Sequence, residues 1–427
     1  MCTVRIRAAN ASVANLVSSR RAAVLMAVWL LTWANTGMAD PHDDARNQAK
    51  RIHDRLAGVP PSTLVLEQMT TDIEASDPQG AAFRAMQNPN FYNVTLKNMV
   101  TPWTNREQTV FAPLNDYTAT VIGMVRDNIG FNQLLSANLV YHANGTTVTN
   151  PTFGPSTAPP YSSNNNDHYE WLENNGVDLS VELFSDSQTN MTGLDDTATA
   201  GIMTTRAAAA AFFIAGTNRA MFRFTLLNHM CTDLEQVKDT TRSPDRIRQD
   251  VSRSPGGDSR IFLNNCVGCH SGMDPLAQAF AYYQFNEATG AMEYTSPTVQ
   301  PKYFINGETF SPGYITPDDA WENYWRSGQN YLLGWKDPDD PDKGKGNGAK
   351  SMGQELANSR AFASCQVTKV FRAVCLRDPV DGTDRGMIST WTNQFTGPDA
   401  GPDAMGGYKL KPVFAETAAY CMGAPES

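Results

Sequence analysis

Asn265-Cys266-Val267-Gly268-Cys269-His270 is the stretch of this 427-residue chain whose residue types and spacing could do chemistry. Two thiols three positions apart lie about one helical turn from each other. Both can then add to the two vinyl groups of one porphyrin. The next residue, His270, sits under the metal and offers an imidazole nitrogen as an axial ligand. C-x-x-C-H is the pattern of covalent c-type haem attachment. Cys266, Cys269 and His270 are therefore expected to hold one haem c, with His270 as the proximal iron ligand. Three other readings compete. A redox disulfide of thioredoxin type normally follows a strand in a βαβ pattern, and none is visible here. A zinc site needs further ligands, and no second C-x-x-C or H-x-H pair supplies them. A structural disulfide with a chance His beside it is the third.

Further residues become candidates if haem is the cofactor. Arg242, Arg246, Arg248, Arg253 and Arg260 form a basic island in an acidic chain. Arg matches the carboxylates of haem propionates bidentately, and Arg253 and Arg260 are the candidates for that contact. The alternative is a solvated loop, since Asp245, Asp250 and Asp258 are interleaved. On the other face of the iron, Met273 is too close to His270 and is expected to pack. Met352, opening a helix downstream, is the candidate distal ligand. His168, His229, Met230 and Met387 also remain, and none stands out. His53 and His142 are expected to be surface or packing residues.

The elements that must position these residues read as mainly α: a multi-helix assembly with few short strands. Residues 1–39 read as a signal peptide: a basic start with Arg5, Arg7, Arg20 and Arg21, an apolar run from Ala22 to Leu31, and small residues before cleavage near Ala39. That run is too short for a comfortable membrane span, and no later stretch qualifies. No Cys follows it to carry a lipid. Arg20-Arg21 invites a twin-arginine reading, which haem attachment after export argues against. The net charge of −10 becomes more negative once the leader's arginines are removed. Nucleic acid and anionic lipid are thereby disfavoured as partners.

Beyond the leader, residues 40–142 read as an N-terminal helical region. Helices are expected over Asp43 to Leu56, after Ser62, around Phe91 to Val100, and after Asn115. Residues 143–200, rich in Asn, Ser, Thr, Pro and Gly, read as a polar surface excursion with one short helix near Tyr169 to Leu172. Residues 201–350 form the expected haem-binding region, with an apolar helix pair at Thr204 to Ala215 and Ala220 to Met230, the latter capped by Asn218. Strand-like pieces are expected at Ala291 to Tyr294 and Lys302 to Ile305. Thr316-Pro317-Asp318-Asp319 reads as a helix start, placing Trp321, Tyr324 and Trp325 on one face as core or porphyrin wall. The Asp337 to Asp342 loop lacks the EF-hand order and a closing Glu, which argues against calcium. Residues 351–427 read as a small C-terminal helical domain, opened by a capping box of Ser351 and Gln354.

Four cysteines remain besides Cys2 and the motif pair: Cys231, Cys365, Cys375 and Cys421. Cys365 and Cys375 share one helical pattern and stand about 15 Å apart, beyond disulfide reach. Cys231 and Cys421 are each expected to pair with one of them; four buried free thiols are the alternative.

Cys266 to Pro275 and the helix after it resemble the haem-c domains of the planctomycete-type cytochrome proteins, an exported family. There C-x-x-C-H is followed by an apolar residue, Asp-Pro, an aromatic-rich helix and a short turn with Gly. Residues 201–230 resemble the helices that precede the motif in that family, and residues 355–421 resemble its small C-terminal helical domain. The resemblance implies haem c and a periplasmic location, and no established reaction. The expectation is an exported monohaem c-type cytochrome-like protein that transfers electrons to or from a redox partner protein. The alternatives are a peroxidase or oxygenase with an open sixth iron position, and a binding scaffold stabilised by haem.

Overall fold

Apolar residues at helical spacing organise the first hundred residues described. α1 (Pro41–Ala57) buries Ala49, Ile52 and Leu56 and ends at Gly58, whose φ of 70° suits a residue without Cβ. Ser62 accepts from the Val65 amide to start α2 (Thr63–Glu74), and Asp77 accepts from Gly80 to start α3 (Pro78–Ala85). A π turn at Phe91–Leu96 runs into α4 (Lys97–Val100), and the chain tightens to a 3-10 turn at Pro102. Asn115 caps α5 (Asp116–Arg126), which is buried along nearly its whole length. The computed structural model describes residues 41–150, 154–214 and 216–423. The expected signal peptide, 1–39, lies outside the described residues.

The polar stretch expected to be a surface excursion is instead built into the body. β1 (Val140–His142) leads into it, and it contains β2 (Thr147–Asn150), β3 (Gly154–Thr157), α6 (Asp167–Asn174), α7 (Leu179–Glu182), β4 (Phe184–Asp186) and α8 (Gln188–Thr192). β1 pairs antiparallel with β4, and β2 with β3. Of its apolar residues, Tyr169, Leu172, Val177, Leu179 and Leu183 are buried in the main core, while Val181 and Phe184 are exposed. Its polar residues supply backbone partners: Asp178 and Ser187 cap helices, and buried Gln188 donates to the Leu139 and Gly201 carbonyls. Composition hid this, because the same residue types that fill loops also satisfy a packed, irregular backbone.

α9 (Arg206–Phe212), capped by Thr205, and α10 (Arg219–His229) form the expected helix pair. Asn218 does not cap α10 with its side chain; it takes φ of 58° and donates to the carbonyls of Phe280 and Tyr283. α11 (Ser259–Ile261), a π turn (Phe262–Cys266) and α12 (Val267–Ala277) follow one another as a single helical run. β5 (Tyr283–Asn286) and β6 (Ala291–Tyr294) make the hairpin beyond it. The expected strand near Lys302 is a 3-10 turn over Pro301–Phe304. The expected helix after Thr316 is absent: β7 (Ala320–Glu322) pairs with β8 (Lys345–Asn347), and Trp325 lies in a 3-10 turn. The acids there are drawn into local turns. Asp318 accepts from the Ala320 amide and from Gln278.

α13 (Gly348–Ala357) and α14 (Arg360–Cys375) are two helices, not one. Ser351 lies inside α13, where its hydroxyl accepts from Trp321 Nε1, so the expected capping box does not form. Ser359 caps α14 instead. α15 (Gly382–Phe395) and α16 (Leu410–Cys421) complete the chain. One hydrophobic cluster runs from Ala49 to Ala418 across all the regions marked off by composition. Two disulfides brace it, Cys231–Cys365 and Cys375–Cys421, in agreement with the expectation that Cys365 and Cys375 each take a distant partner.

Non-reducing peptide mapping is expected to recover these two linkages and no other. Cys375→Ser opens a loop spanning 46 residues and is expected to cost roughly 4 kcal/mol, read as a lowered denaturant midpoint.

Candidate functional site

Cys266 closes the π turn, and Cys269 and His270 lie in the first turn of α12. The motif thus sits within one helical run that begins where Asp258 accepts from the Arg260 amide. π turns inside helices recur at functional sites because they re-aim side chains locally. Two glycines let neighbouring elements approach the back of α12. A Cβ on Gly268 would stand 2.7 Å from Lys238 Cγ, and one on Gly272 would stand 1.9 Å from Trp325 Nε1. At 3.6 residues per turn both fall away from Cys266 and His270. Trp325, fully buried and 5.9 Å from the Phe222 ring, therefore packs against the face of α12 turned away from Cys266 and His270. Trp321 and Tyr324 do not share a stripe with it; they bond Ser351 and Asp245 respectively.

Cys266 and Cys269 are unpaired, whereas the other four described cysteines are in disulfides. The Cys269 thiol donates to the Leu234 carbonyl at 3.5 Å, and burial pushes its pKa up. Cys266 is half-buried and packs beside Ile247, Phe262 and Val267. Ile261 and Leu263, just upstream on the same helical run, are exposed.

His270 stands one turn before Asp274, and its Nδ1 lies 3.1 Å from Asp274 Oδ1. Nε2 is left as the nitrogen available to a metal. Asp274 is completely buried. Burial alone would raise its pKa, but Arg219, Arg248 and His270 outweigh that and hold the carboxyl well below the usual range. Arg219 grips it bidentately, Nε to Oδ1 at 2.7 Å and Nη2 to Oδ2 at 2.9 Å, and grips Asp250 from the same guanidinium at 2.7 and 2.9 Å. The Arg248 amide donates to Asp274 Oδ2 at 3.3 Å. A buried charge is tolerated only when paired in this way. The Asp274 role had a readable signal, a carboxylate four residues after a His on a helix; Arg219 and Asp250 had none.

The remaining candidates are placed as follows. Arg253 comes beside the motif, its guanidinium 4.8 Å from the Phe262 ring and 4.4 Å from that of Phe310, but it donates to the Ile247 and Val251 carbonyls. Arg260 is exposed and paired with Asp258. Met352 is fully buried in the main core, as are Met273 and Met230. His168 bonds the Pro159 carbonyl through Nδ1 and accepts from the Ala143 amide at Nε2. His229 Nε2 is 2.7 Å from the Tyr117 hydroxyl, inside the core. His53 is likewise buried and bonds the Val59 carbonyl, so it packs.

Among the described residues no group of three or more His, Cys, Asp or Glu converges in a way that could hold a metal ion. The motif is preceded by helix, not by the strand a thioredoxin-like disulfide would have. No helix among the described residues is long and apolar enough to cross a membrane. Comparison of the chain with protein-family models, characterised proteins and solved structures finds no match.

Gly272→Ala forces its methyl against the Trp325 indole. The expected cost is about 1–3 kcal/mol, read as a lower Tm with a changed tryptophan emission. Burial lowers the His229 pKa well below 6.5, so the unfolded chain binds the extra proton first. The stability this represents is complete above pH 6.5 and is lost as pH falls toward the folded pKa, by up to about 1.4 kcal/mol per pH unit. Denaturant midpoints between pH 7 and 5 are expected to fall less steeply in His229→Gln than in the natural protein.

Proposed function

We propose that this protein is an exported monohaem c-type cytochrome that transfers electrons, with the haem held covalently by Cys266 and Cys269 and ligated by His270. The observation that carries the reading is a thiol pair left unpaired in a chain whose other described cysteines are joined, followed at once by an imidazole whose Nδ1 is tied to a buried carboxylate. Those residues fit the group: the two thiols are about a turn apart on one helix, and the fixed imidazole keeps Nε2 for iron. When bound, haem supplies a one-electron ferric/ferrous couple. The chain's own contribution is positional. α12, seated on Trp325, holds the three residues in register, and Asp274 orients the ring. Partly exposed Cys266 and the exposed Ile261 and Leu263 keep this face within reach of a redox partner protein. Arg253, beside Phe262, is the better placed of the two arginines to meet a propionate. The two disulfides accord with an oxidising, periplasmic or extracellular compartment.

Intact mass of the exported chain, made with a haem c maturation system, is expected to show the gain of one haem. Cys266→Ser/Cys269→Ser is expected to abolish it while the chain still folds. An unmodified mass in the natural sequence refutes the proposal. A low-spin ferric spectrum unmoved by cyanide identifies electron transfer; a high-spin spectrum that shifts identifies an open sixth position and a peroxidase or oxygenase.

A further inference from the structure

The bond from His270 to Asp274 belongs to a chain of charges more elaborate than covalent attachment requires. Asp274 accepts from His270 Nδ1 on one side and from the Arg219 guanidinium on the other, and Arg219 is shared with Asp250. A second guanidinium, that of Arg248, stands 3.8 Å from Asp274 Oδ1. Arg248 is almost fully buried, lies 4.7 Å over the Tyr303 ring, and bonds Thr217 through Nη2, and its Nε and Nη1 have no hydrogen-bond partner among the described residues.

A carboxylate that accepts from imidazole Nδ1–H fixes the tautomer and makes the other nitrogen a stronger donor to metal. Guanidiniums on that carboxylate withdraw part of the effect, because a carboxylate shared with strong charge-assisted bonds accepts less from the ring. We infer that Asp274 is a positioning residue that sets the donor strength of His270 Nε2, and that Arg219 and Arg248 grade it. The inference rests on His270 being the axial ligand. A stronger donor favours ferric over ferrous iron, so the two kinds of residue act with opposite sign on the reduction potential. Removing the Asp274 charge raises the potential; removing the Arg219 charge lowers it. A purely structural role would lower stability in both variants and would not separate the potentials.

The test begins with haem content of the natural protein. Absence of haem there overturns the functional reading and the tuning with it. The tautomer is then judged separately, by 15N NMR of His270 in the haem-free Cys266→Ser/Cys269→Ser chain. There Nδ1–H is expected, and an Nε2–H ring overturns the positioning. With haem present, redox titration of Asp274→Asn is expected to lower the ferric to ferrous ratio at a fixed poise about tenfold, which is about 59 mV for one electron. Arg219→Gln is expected to shift it the opposite way. Asp250→Asn frees Arg219 for Asp274, and a smaller upward shift is expected; this variant serves if Asp274→Asn does not fold. Shifts of the same sign in Arg219→Gln and Asp250→Asn, or none in either, overturn the inference.

Discussion

The Arg219–Asp274 ion pair is the constraint around which the rest of the molecule is arranged. It joins the first residue of α10 to the eighth of α12, with the carboxylate completely buried and the guanidinium mostly so. Asp250, Arg248 and His270 share the two charges, and this paired network holds the two helices in one relative position. That position in turn seats Gly272 on Trp325 and brings the Asp274 carboxylate to the His270 ring. The motif is thus defined by more than its six residues. Its second layer comes from residues some 50 positions earlier, and from the Arg248 to Asp250 segment between them.

The helices farther from the motif do a different job. α1, α2, α3, α14 and α16 pack into the same hydrophobic cluster as α10 and the second half of α12, whereas Cys266 packs in a small separate cluster with Ile247, Phe262 and Val267. The Cys231–Cys365 bond leaves from just beyond α10 and lands within α14. It fastens the helix that carries Arg219 to the C-terminal helices. The chain on either side of the motif is therefore anchored, while the upstream part of the helical run, with Ile261, Leu263 and half-buried Cys266, faces outward.

What could be read from the sequence and what could not divide along physical lines. Ser62 and Asn115 were legible as caps because a side-chain oxygen before an apolar helical pattern has one obvious local use. That Cys365 and Cys375 do not bond each other followed from helix geometry, since they occupy one rigid rod; which of Cys231 and Cys421 each takes is set by tertiary packing. Thr316 to Asp319 was misleading. Its residues satisfy the rules for a helix start, but Asp318 is taken by Gln278 and the Ala320 amide, and the chain continues as a strand. The stretch after residue 143 misled for a related reason: its Asn, Ser and Asp residues bind backbone groups inside the body instead of water. At the site itself, Cys266, Cys269 and His270 announce themselves by spacing, and Asp274 by its place one turn on. Arg219 and Asp250 are brought there only by tertiary packing, and nothing local distinguishes them from any other arginine and aspartate.

The Cys231–Cys365 bridge has one more consequence. It closes the chain between two cysteines 134 positions apart into a covalent ring, and the long outward-facing Lys336 to Lys343 segment lies inside that ring. A protease cutting there divides the backbone without releasing either piece. The nicked molecule would migrate as a single species until a reductant is added, and only then fall into two fragments.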